Sequence, residues 1–234
     1  VRQIPSTDIR SLHLPKRVLN IGEEKVNTMA CPLYSKPETY IPTGITSLDK
    51  LLHGGLPMGA ISELTGSFSS GKTSVLFTFL ARATSEHLRV AYIDTFDTFD
   101  PCYAQTSGIR LQQLLWIRFQ RGSFSNRIKK SLKAADILAR SQDFGVIVLD
   151  LETASERTPK AVIQKVPFHC WFRIKKVLHH KKVAFLLVSN SSSAGSAANT
   201  VLGLDRSSVR WRSTRPASQP NFSNHYQLLR GLTT

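Results

Sequence analysis

Short apolar segments alternate with segments of helical periodicity between residues 60 and 189 of this chain. The apolar segments are rich in valine, isoleucine, leucine and aromatic residues: AISELTG (60–66), RVAYIDT (89–95), LLWIRF (114–119), FGVIVLDL (144–151) and VAFLLVS (183–189). FGVIVLDL and VAFLLVS are apolar at nearly every position, which is typical of strands buried on both faces in the middle of a parallel sheet. We therefore predict five strands that belong to one sheet.

Helical patterns fill the gaps between these strands, at residues 71–86, 126–141 and 168–181. In the second of them, Ile128, Leu132, Ala135 and Leu138 form one apolar stripe, as expected of a helix packed on a core. Strands and helices in alternation predict an α/β fold with a mostly parallel central sheet and helices on both faces.

The two ends of the chain differ from this core in composition and in the pattern of apolar residues. Residues 1–40 contain four prolines and few long apolar stretches, so we expect an N-terminal arm with one or two short helices. The core spans residues 41–212, and residues 213–234 form a C-terminal tail with a possible edge strand. After residue 189, a small-residue turn, SSSAGSAAN, precedes three candidates for antiparallel edge strands, within NTVLGLDRS, VRWRS and YQLLRGL.

The charge balance indicates an anionic partner. The chain has 31 Lys+Arg against 16 Asp+Glu, a formal net charge of +15 over 234 residues. Such an excess favours nucleic acid, an acidic protein surface or an anionic membrane surface. Three widely separated cysteines predict neither a disulfide framework nor a zinc site. No apolar run has the length of a membrane helix and no secretory signal is visible, so we expect a cytoplasmic protein.

The stretch GSFSSGKT, residues 66–73, has the spacing Gly-x-x-x-x-Gly-Lys-Thr between a predicted strand and a predicted helix. That context is the one in which the motif binds nucleoside triphosphates, because backbone N–H groups and a helix N-terminus surround the phosphates. Lys72 is expected to reach the β- and γ-phosphates, and the Thr73 hydroxyl to ligate Mg²⁺. The predicted ATP-binding residues of this loop are Gly66, Ser69, Ser70, Gly71, Lys72, Thr73 and Ser74.

A carboxylate that holds the metal through water is expected at the end of a neighbouring buried strand. FGVIVLDL supplies Asp150 after four apolar residues. We predict that Thr73 and Asp150 together form the Mg²⁺ site.

The segment TGITSLDKLLHGGLPMGAISELTGSFSSGKTS resembles the start of the RecA recombinase core, and VAYIDTFDTFDPCYAQTSGIRLQQLLW resembles the stretch that follows its second core strand. The resemblance covers residues 42–120, and more loosely extends to 190. It implies that Tyr103 stacks on adenine, that Asp100 contacts the amino edge of the base, and that Asn190 stands where RecA has a γ-phosphate-sensing glutamine.

The chain departs from the RecA pattern at the residue that orients the attacking water. Phe96 occupies the place of that catalytic glutamate, and a phenyl ring cannot orient a water or accept a proton. For ATP hydrolysis, a nearby acid would have to replace this glutamate, and the candidates are Asp97, Asp94 and Glu152. We therefore predict that ATP is bound and hydrolysed slowly or not at all.

A second departure concerns single-stranded DNA. The segment after VAFLLVS, residues 190–198, has no Arg, Lys or aromatic residue, whereas RecA uses the corresponding loop to hold DNA. The segment after Asp150 does carry Arg157, Lys160 and Lys165, so contacts through that loop stay open.

A closer resemblance, carried by DTFDTFDP, LLWIRF, KAADILARSQDFGVIVLDL, VPFHCWFRIKKVL and SSSAGSAANTVL, is to the ImuA family of RecA-like accessory proteins in bacterial SOS mutagenesis. It spans residues 42–211. It implies a factor of the DNA-damage response that supports error-prone translesion synthesis, with RecA and an ImuB-like polymerase component as partners. The alternatives are an active DNA-dependent ATPase or recombinase of the RecA type, and a structural partner whose nucleotide is fixed or absent.

Candidate partner surfaces are also visible in the sequence. ACPLYSKPETY, residues 30–40, is a candidate for strand addition to a neighbouring molecule, either a second copy or RecA. Trp171 and Phe172 are either core residues or an exposed aromatic patch. A basic edge around Trp211 is a candidate for DNA phosphates or an acidic protein patch, and comprises Arg206, Arg210, Arg212 and Arg215.

Overall fold

The computed structural model describes residues 39–153 and 166–204, together with the backbone of four short terminal strands. In chain order the strands and helices are β1 (Arg17–Ile21), β2 (Glu24–Thr28), β3 (Tyr40–Ile41), α1 (Thr46–Leu51), β4 (Leu56–Pro57), β5 (Ala60–Gly66), α2 (Lys72–Ser85), β6 (Val90–Asp94), α3 (Pro101–Thr106), β7 (Leu114–Arg118), α4 (Phe124–Ser141), β8 (Val146–Asp150), α5 (Phe168–Leu178), β9 (Ala184–Ser189), β10 (Thr200–Leu204), β11 (Arg212–Ser213) and β12 (Tyr226–Gln227).

Six parallel strands form the central sheet, in the order β10-β5-β9-β8-β6-β7. All five strands predicted from the apolar segments are present, and every neighbouring pair is parallel. The α/β fold with a mostly parallel sheet is therefore confirmed. The inner strands β6, β8 and β9 are buried at every position, which explains their uninterrupted apolar sequences.

Helices cover both faces of the sheet and divide the core into two clusters. On one face α2 contributes Leu76, Phe79 and Leu80 to a cluster with β6 and β8. On the other face α4 and α5 pack their apolar stripes against the same strands. Trp171 of α5 is fully buried in the second cluster, so its assignment as a core residue is confirmed. Phe172 is 40% exposed and lies edge-on to Phe168. Trp171 therefore belongs to the core and Phe172 to the surface.

The strand within NTVLGLDRS is an edge strand, but it is parallel rather than antiparallel. β10 pairs with β5 from Thr200 opposite Ser62 to Leu204 opposite Gly66. The direction follows from the connection, because residues 190–199 carry the chain back across the sheet before β10 begins, and the Asn199 N–H bonds to Ile61 O at 2.8 Å. β11 and β12, within VRWRS and YQLLRGL, are antiparallel to each other in a sheet of their own.

The expectation of helices in the N-terminal arm is wrong for residues 17–28. β1 and β2 pair in antiparallel register from Arg17 opposite Thr28 to Ile21 opposite Glu24. The candidate partner segment 30–40 lies outside the described residues apart from its last two positions, where Tyr40 begins β3.

No helix within the described residues combines the length and the apolar character that a membrane span requires.

Candidate functional site

The predicted nucleotide loop lies at the carboxyl edge of the sheet, where several parallel strands end together. β5 ends at Gly66 and runs directly into the loop, while β6 and β8 end side by side with Asp94 opposite Asp150. β9 ends at Ser189, opposite Thr65 of β5. Ligands of open α/β sheets bind at this edge because the loops there are free to diverge.

Close backbone approaches explain why the loop needs its glycines. A Cβ at Gly66 would lie 2.4 Å from Leu204 O and 2.6 Å from Ser70 Oγ, so no side chain fits there. Gly71 has φ 92° and immediately precedes α2, a left-handed conformation that glycine adopts without strain. Ser69 has φ 59° and is exposed, and Thr73 is exposed in the first turn of α2. The loop therefore has a fixed backbone and presents hydroxyls at its surface.

The Lys72 ammonium joins three of the predicted site segments. Its side chain is 2% exposed, and Nζ donates to Gly66 O at 2.5 Å and to Ser67 O at 2.9 Å. It also donates to Asn190 Oδ1 at 3.3 Å and forms an ion pair with Glu152 Oε1 at 3.2 Å. The structure thus brings Asn190 and Glu152 together at the lysine of the loop, although both are far away in sequence.

Asp150 is buried at the end of β8 and is held by two donors. The Tyr92 hydroxyl donates to Oδ2 at 2.5 Å, and the Glu152 N–H donates to Oδ1 at 2.8 Å. Burial removes water from the carboxyl group and raises the pKa of Asp150 from 3.8 to about 7, although the Tyr92 hydrogen bond opposes that shift. Burial and the nearby Asp150 charge also raise the pKa of Tyr92. Tyr92 was missed at the level of sequence; its only signal was a phenol inside an apolar strand, which needs a hydrogen-bond partner.

The raised pKa of Asp150 predicts how folding stability depends on pH. Between about pH 4 and pH 7 the unfolded chain loses this proton while the folded protein keeps it, so this group lowers stability as pH rises through that window. Asp150→Asn removes the titration. We expect the stability of the variant relative to the unmodified protein to rise by about 3 kcal/mol between pH 4 and pH 7.

Urea unfolding at a series of pH values measures this difference. Asp143→Asn, at a carboxylate that is mostly exposed, is the matched control and should show no such trend. A stability difference between Asp150→Asn and the unmodified protein that is constant with pH would contradict the prediction.

The position of Phe96 is apolar and largely enclosed. The side chain is 9% exposed, belongs to the cluster beneath α4, and its ring centroid lies 5.4 Å from that of Phe124. No carboxylate occupies this place, and the ring packs as a core residue.

The two acids nearest in sequence to Phe96 have structural partners. Asp97 has φ 63° and forms two hydrogen bonds with Arg118, at 2.8 and 2.9 Å, while that guanidinium lies over the Trp116 ring. Asp94 is fully buried and accepts from the N–H groups of Thr98 and Phe99 and from the Trp116 indole. Of the predicted substitutes for the glutamate, Glu152 is the one that the structure places at Lys72.

Tyr103 has the exposure that base stacking needs. Its side chain is 50% exposed, and its other face lies against Phe77, with ring centroids 5.4 Å apart. Asp100 Oδ1 caps α3 by accepting from the N–H groups of Cys102 and Tyr103, and its contact with the amino edge of the base stays a prediction. Asp100 therefore positions the helix that carries Tyr103.

The segment after β9 is anchored by a buried glutamate that sequence analysis missed. Glu63 of β5 is fully buried, and its carboxylate accepts from Ser192 Oγ at 2.7 Å, Ser193 N at 2.6 Å and Ala194 N at 3.3 Å. The strand AISELTG carried the signal, because a charged residue in the middle of a buried strand requires several partners. The segment is therefore a fixed turn beside Asn190.

We expect Glu63→Ala to lower the free energy of unfolding by about 3 kcal/mol, because two backbone N–H groups and two hydroxyls lose their acceptor. Glu63→Gln keeps one acceptor oxygen and should lose less. Chemical unfolding measures both, and hydrogen exchange at Ser193 and Ala194 reports whether the turn opens. Unchanged exchange in Glu63→Ala would show that the turn is held by something other than this carboxylate.

The groups at this edge fit ATP with Mg²⁺. Ser70 Oγ is buried and has no hydrogen-bond partner within the described residues, and Lys72 and Asp150 supply a cation and a carboxyl group at the same edge of the sheet. Ser74 lies in the first turn of α2. No cluster of three His, Cys, Asp or Glu side chains suited to a metal is found in the described part of the chain, so the remaining ligands of a Mg²⁺ ion would be phosphate and water oxygens.

The basic edge predicted around Trp211 falls almost entirely outside the described residues. Arg206, Arg210, Arg215 and Trp211 lie outside the described residues, and Arg212 is described only as backbone of β11. Arg157, Lys160 and Lys165 also lie outside the described residues.

The family described as the RecA N-terminal domain matches residues 20–165, which include the loop, Phe96, Tyr103, Asp150 and Glu152.

Proposed function

The chain belongs to the RecA N-terminal domain family, and on that premise we propose that it binds ATP with Mg²⁺ and hydrolyses it slowly or not at all. The observation that carries this proposal is the environment of Phe96. A ring packed against Phe124 stands where the RecA pattern has its water-orienting glutamate. Phosphoryl transfer depends mainly on positioning and charge stabilisation, so loss of that group removes a large part of catalysis.

Binding is supported by the groups that remain. Lys72 provides the charge for the β- and γ-phosphates, and the fixed backbone of residues 66–71 provides N–H donors. Bound Mg²⁺ would neutralise phosphate charge, with Thr73 and Asp150 as the residues that hold it. Tyr103 offers an exposed ring face for the base.

The turn after β9 argues against DNA binding by the recombinase route. Residues 191–197 contain no cation or aromatic ring, and Glu63 fixes them through three hydrogen-bonded residues. Single-strand binding normally uses cations along the backbone and aromatic rings under the bases. A nucleotide-dependent rearrangement of this turn would also have to break the Glu63 contacts.

We further propose that the protein acts in the DNA-damage response as an accessory to error-prone translesion synthesis. The support is the resemblance of residues 42–211 to the ImuA family, together with the net charge of +15. RecA and an ImuB-like polymerase component are the proposed partners, and the cytoplasm the proposed compartment. The segment 30–40 and the basic edge near Arg212 are the proposed contact regions.

One observation favours the alternative of an active DNA-dependent ATPase. Glu152 lies 3.2 Å from Lys72 Nζ, at the place where phosphates are expected, and it is a carboxylate able to orient a water. If the Lys72–Glu152 pair opens when ATP binds, Glu152 becomes available for that role.

The test is ATP binding and turnover by the purified protein, with and without single-stranded DNA. We expect ATP binding that requires Mg²⁺, and turnover that is at the background level and is not stimulated by DNA. Glu152→Gln separates the two functions, since it should leave background turnover unchanged in a non-hydrolysing protein. DNA-stimulated turnover that is lost in Glu152→Gln would establish the ATPase alternative.

A further inference from the structure

A cationic groove lies between α4 and α5, on the surface of the helices that cover one face of the sheet. It has a volume of about 680 Å³ and is lined by Arg140, Arg173, Lys176, Val177 and Lys181. Four of its five lining residues are cations. The groove is formed by the last turn of α4, the second half of α5 and Lys181 just after α5. Both helices run antiparallel to the strands, so the groove opens at the edge of the sheet opposite the nucleotide loop.

The positive charge of the groove is only partly neutralised. Asp136 pairs with Arg140, at 3.3 Å, and with Arg173, also at 3.3 Å, and it is the acid that the structure places among these cations. Lys176 is exposed. Upstream on α4, Lys129 and Lys133 occupy the same flank of the helix as Asp136 and Arg140, by their spacing of three, four and seven residues. The cationic flank therefore continues along α4.

The groove is also rigid. The Lys181 ammonium donates to the carbonyl oxygens of Ala139 and Arg140, at 2.7 and 3.1 Å, and so caps the end of α4 from the loop after α5. The Asp136 carboxylate bridges the two helices through its arginines. A ligand that enters the groove meets positioned cations, which lowers the entropy lost on binding.

The apolar lining of the groove indicates whether its anionic partner is a peptide or a nucleic acid. Val177 is the apolar residue that lines the groove, and it is partly exposed. The lining contains no aromatic ring, whereas sites for single-stranded nucleic acid rely on stacked bases. Cations around aliphatic side chains suit a peptide whose carboxylates flank an aliphatic residue. Arg140 and Arg173 both pair with the carboxylate of Asp136, so the geometry of these two side chains suits a carboxylate ligand.

We propose that the groove between α4 and α5 docks an acidic segment of a partner protein, in which Asp or Glu residues flank an aliphatic residue. The carboxylates pair with Arg173, Lys176 and the exposed cations of α4, and the aliphatic side chain packs on Val177. Because the groove lies at the opposite edge of the sheet from Lys72, a docked segment leaves the nucleotide loop accessible.

The experiment measures binding of a short fluorescent peptide that alternates glutamate with leucine, by anisotropy at low salt, to the whole chain. The same composition with glutamine in place of glutamate, and a labelled oligothymidine, serve as comparison ligands. The test variants are Lys176→Glu and the double variant Arg173→Glu/Lys176→Glu. The matched control is Lys130→Glu, which reverses an exposed charge on the outward face of α4, away from the groove.

We expect the acidic peptide to bind and its affinity to fall about tenfold or more in the double variant, with Lys176→Glu intermediate and Lys130→Glu nearly unchanged. The glutamine peptide should not bind. An equal loss in Lys130→Glu would mean attraction by net charge alone and would overturn the proposal. Tighter binding of oligothymidine, with the same dependence on Arg173 and Lys176, would assign the groove to nucleic acid instead. Absence of peptide binding would also refute the proposal of an acidic protein partner. Unfolding midpoints of all variants verify that the fold is intact.

Discussion

Lys72→Ala should lower the affinity for ATP by about a hundredfold or more. The reason is that the Lys72 ammonium is the cation that the structure buries within the loop, at 2% exposure, with its Nζ within 3.3 Å of oxygens from the loop, from Asn190 and from Glu152. A hydrogen bond between charged groups contributes about 1.5–3 kcal/mol, and this lysine is expected to make more than one to the phosphates. Alanine removes all of them.

Titration calorimetry with ATP and Mg²⁺ measures the loss. Glu152→Gln is the informative control, because it removes the charge that pairs with Lys72 but keeps the ammonium. We expect this variant to bind ATP as well as or better than the unmodified protein. In the variant, the Lys72 ammonium does not have to break an ion pair with Glu152 before it contacts the phosphates. If Lys72→Ala binds ATP normally while remaining folded, residues 66–73 are not the nucleotide site.

Phe96→Glu should destabilise the protein by about 4 kcal/mol or more and should not create ATPase activity. The substitution removes a largely buried ring from its contact with Phe124 and introduces a carboxylate into the same apolar cluster. Loss of a buried phenyl group by itself costs about 3–5 kcal/mol, and an unpaired buried charge adds to that. Apolar packing around Phe96 therefore occupies the space that a catalytic glutamate would need at this position.

Phe96→Leu is the matched control, because it keeps the position apolar and removes only part of the volume. It should lose about 1–2 kcal/mol. Urea unfolding gives both values, and turnover is measured below the unfolding transition. A stable Phe96→Glu protein that hydrolyses ATP would show that the side chain at this position reaches the phosphates, and that a single substitution removed an otherwise intact ATPase.

The order of strands and helices was predictable because it depends on local patterns. Buried strands are apolar at consecutive positions and helices repeat every three to four residues, so β5 to β9, α2, α4 and α5 are visible in the sequence. The loop GSFSSGKT was predictable for the same reason, since its spacing and its position between a strand and a helix are both local. The direction of β10 was not, because it depends on the path of residues 190–199 across the sheet.

The partners of the site residues could not be predicted, because they come from distant parts of the chain. Asp150 and Tyr92 are 58 residues apart, and Glu63 and Ser192 are 129 residues apart. Asp97 is next to Phe96 in sequence, but its side chain pairs with Arg118 on the adjacent strand. Whether an acid is available for chemistry or is held by a structural partner is decided by such contacts.

The sequence by itself determined the α/β core and the place of the loop GSFSSGKT between a strand and a helix, because these are properties of consecutive residues. That Phe96 stands in the place of a glutamate follows from the resemblance to the RecA pattern. The tertiary structure decided that Asp94 and Asp97 have structural partners, that Glu152 and Asn190 meet Lys72, and that Glu63 fixes the turn after β9. It also created the groove between α4 and α5, because the cations of the groove come together only when the two helices pack side by side. The physical reason is that burial, pKa and charge clustering depend on neighbours in space, and the parallel sheet brings together residues that the chain keeps far apart.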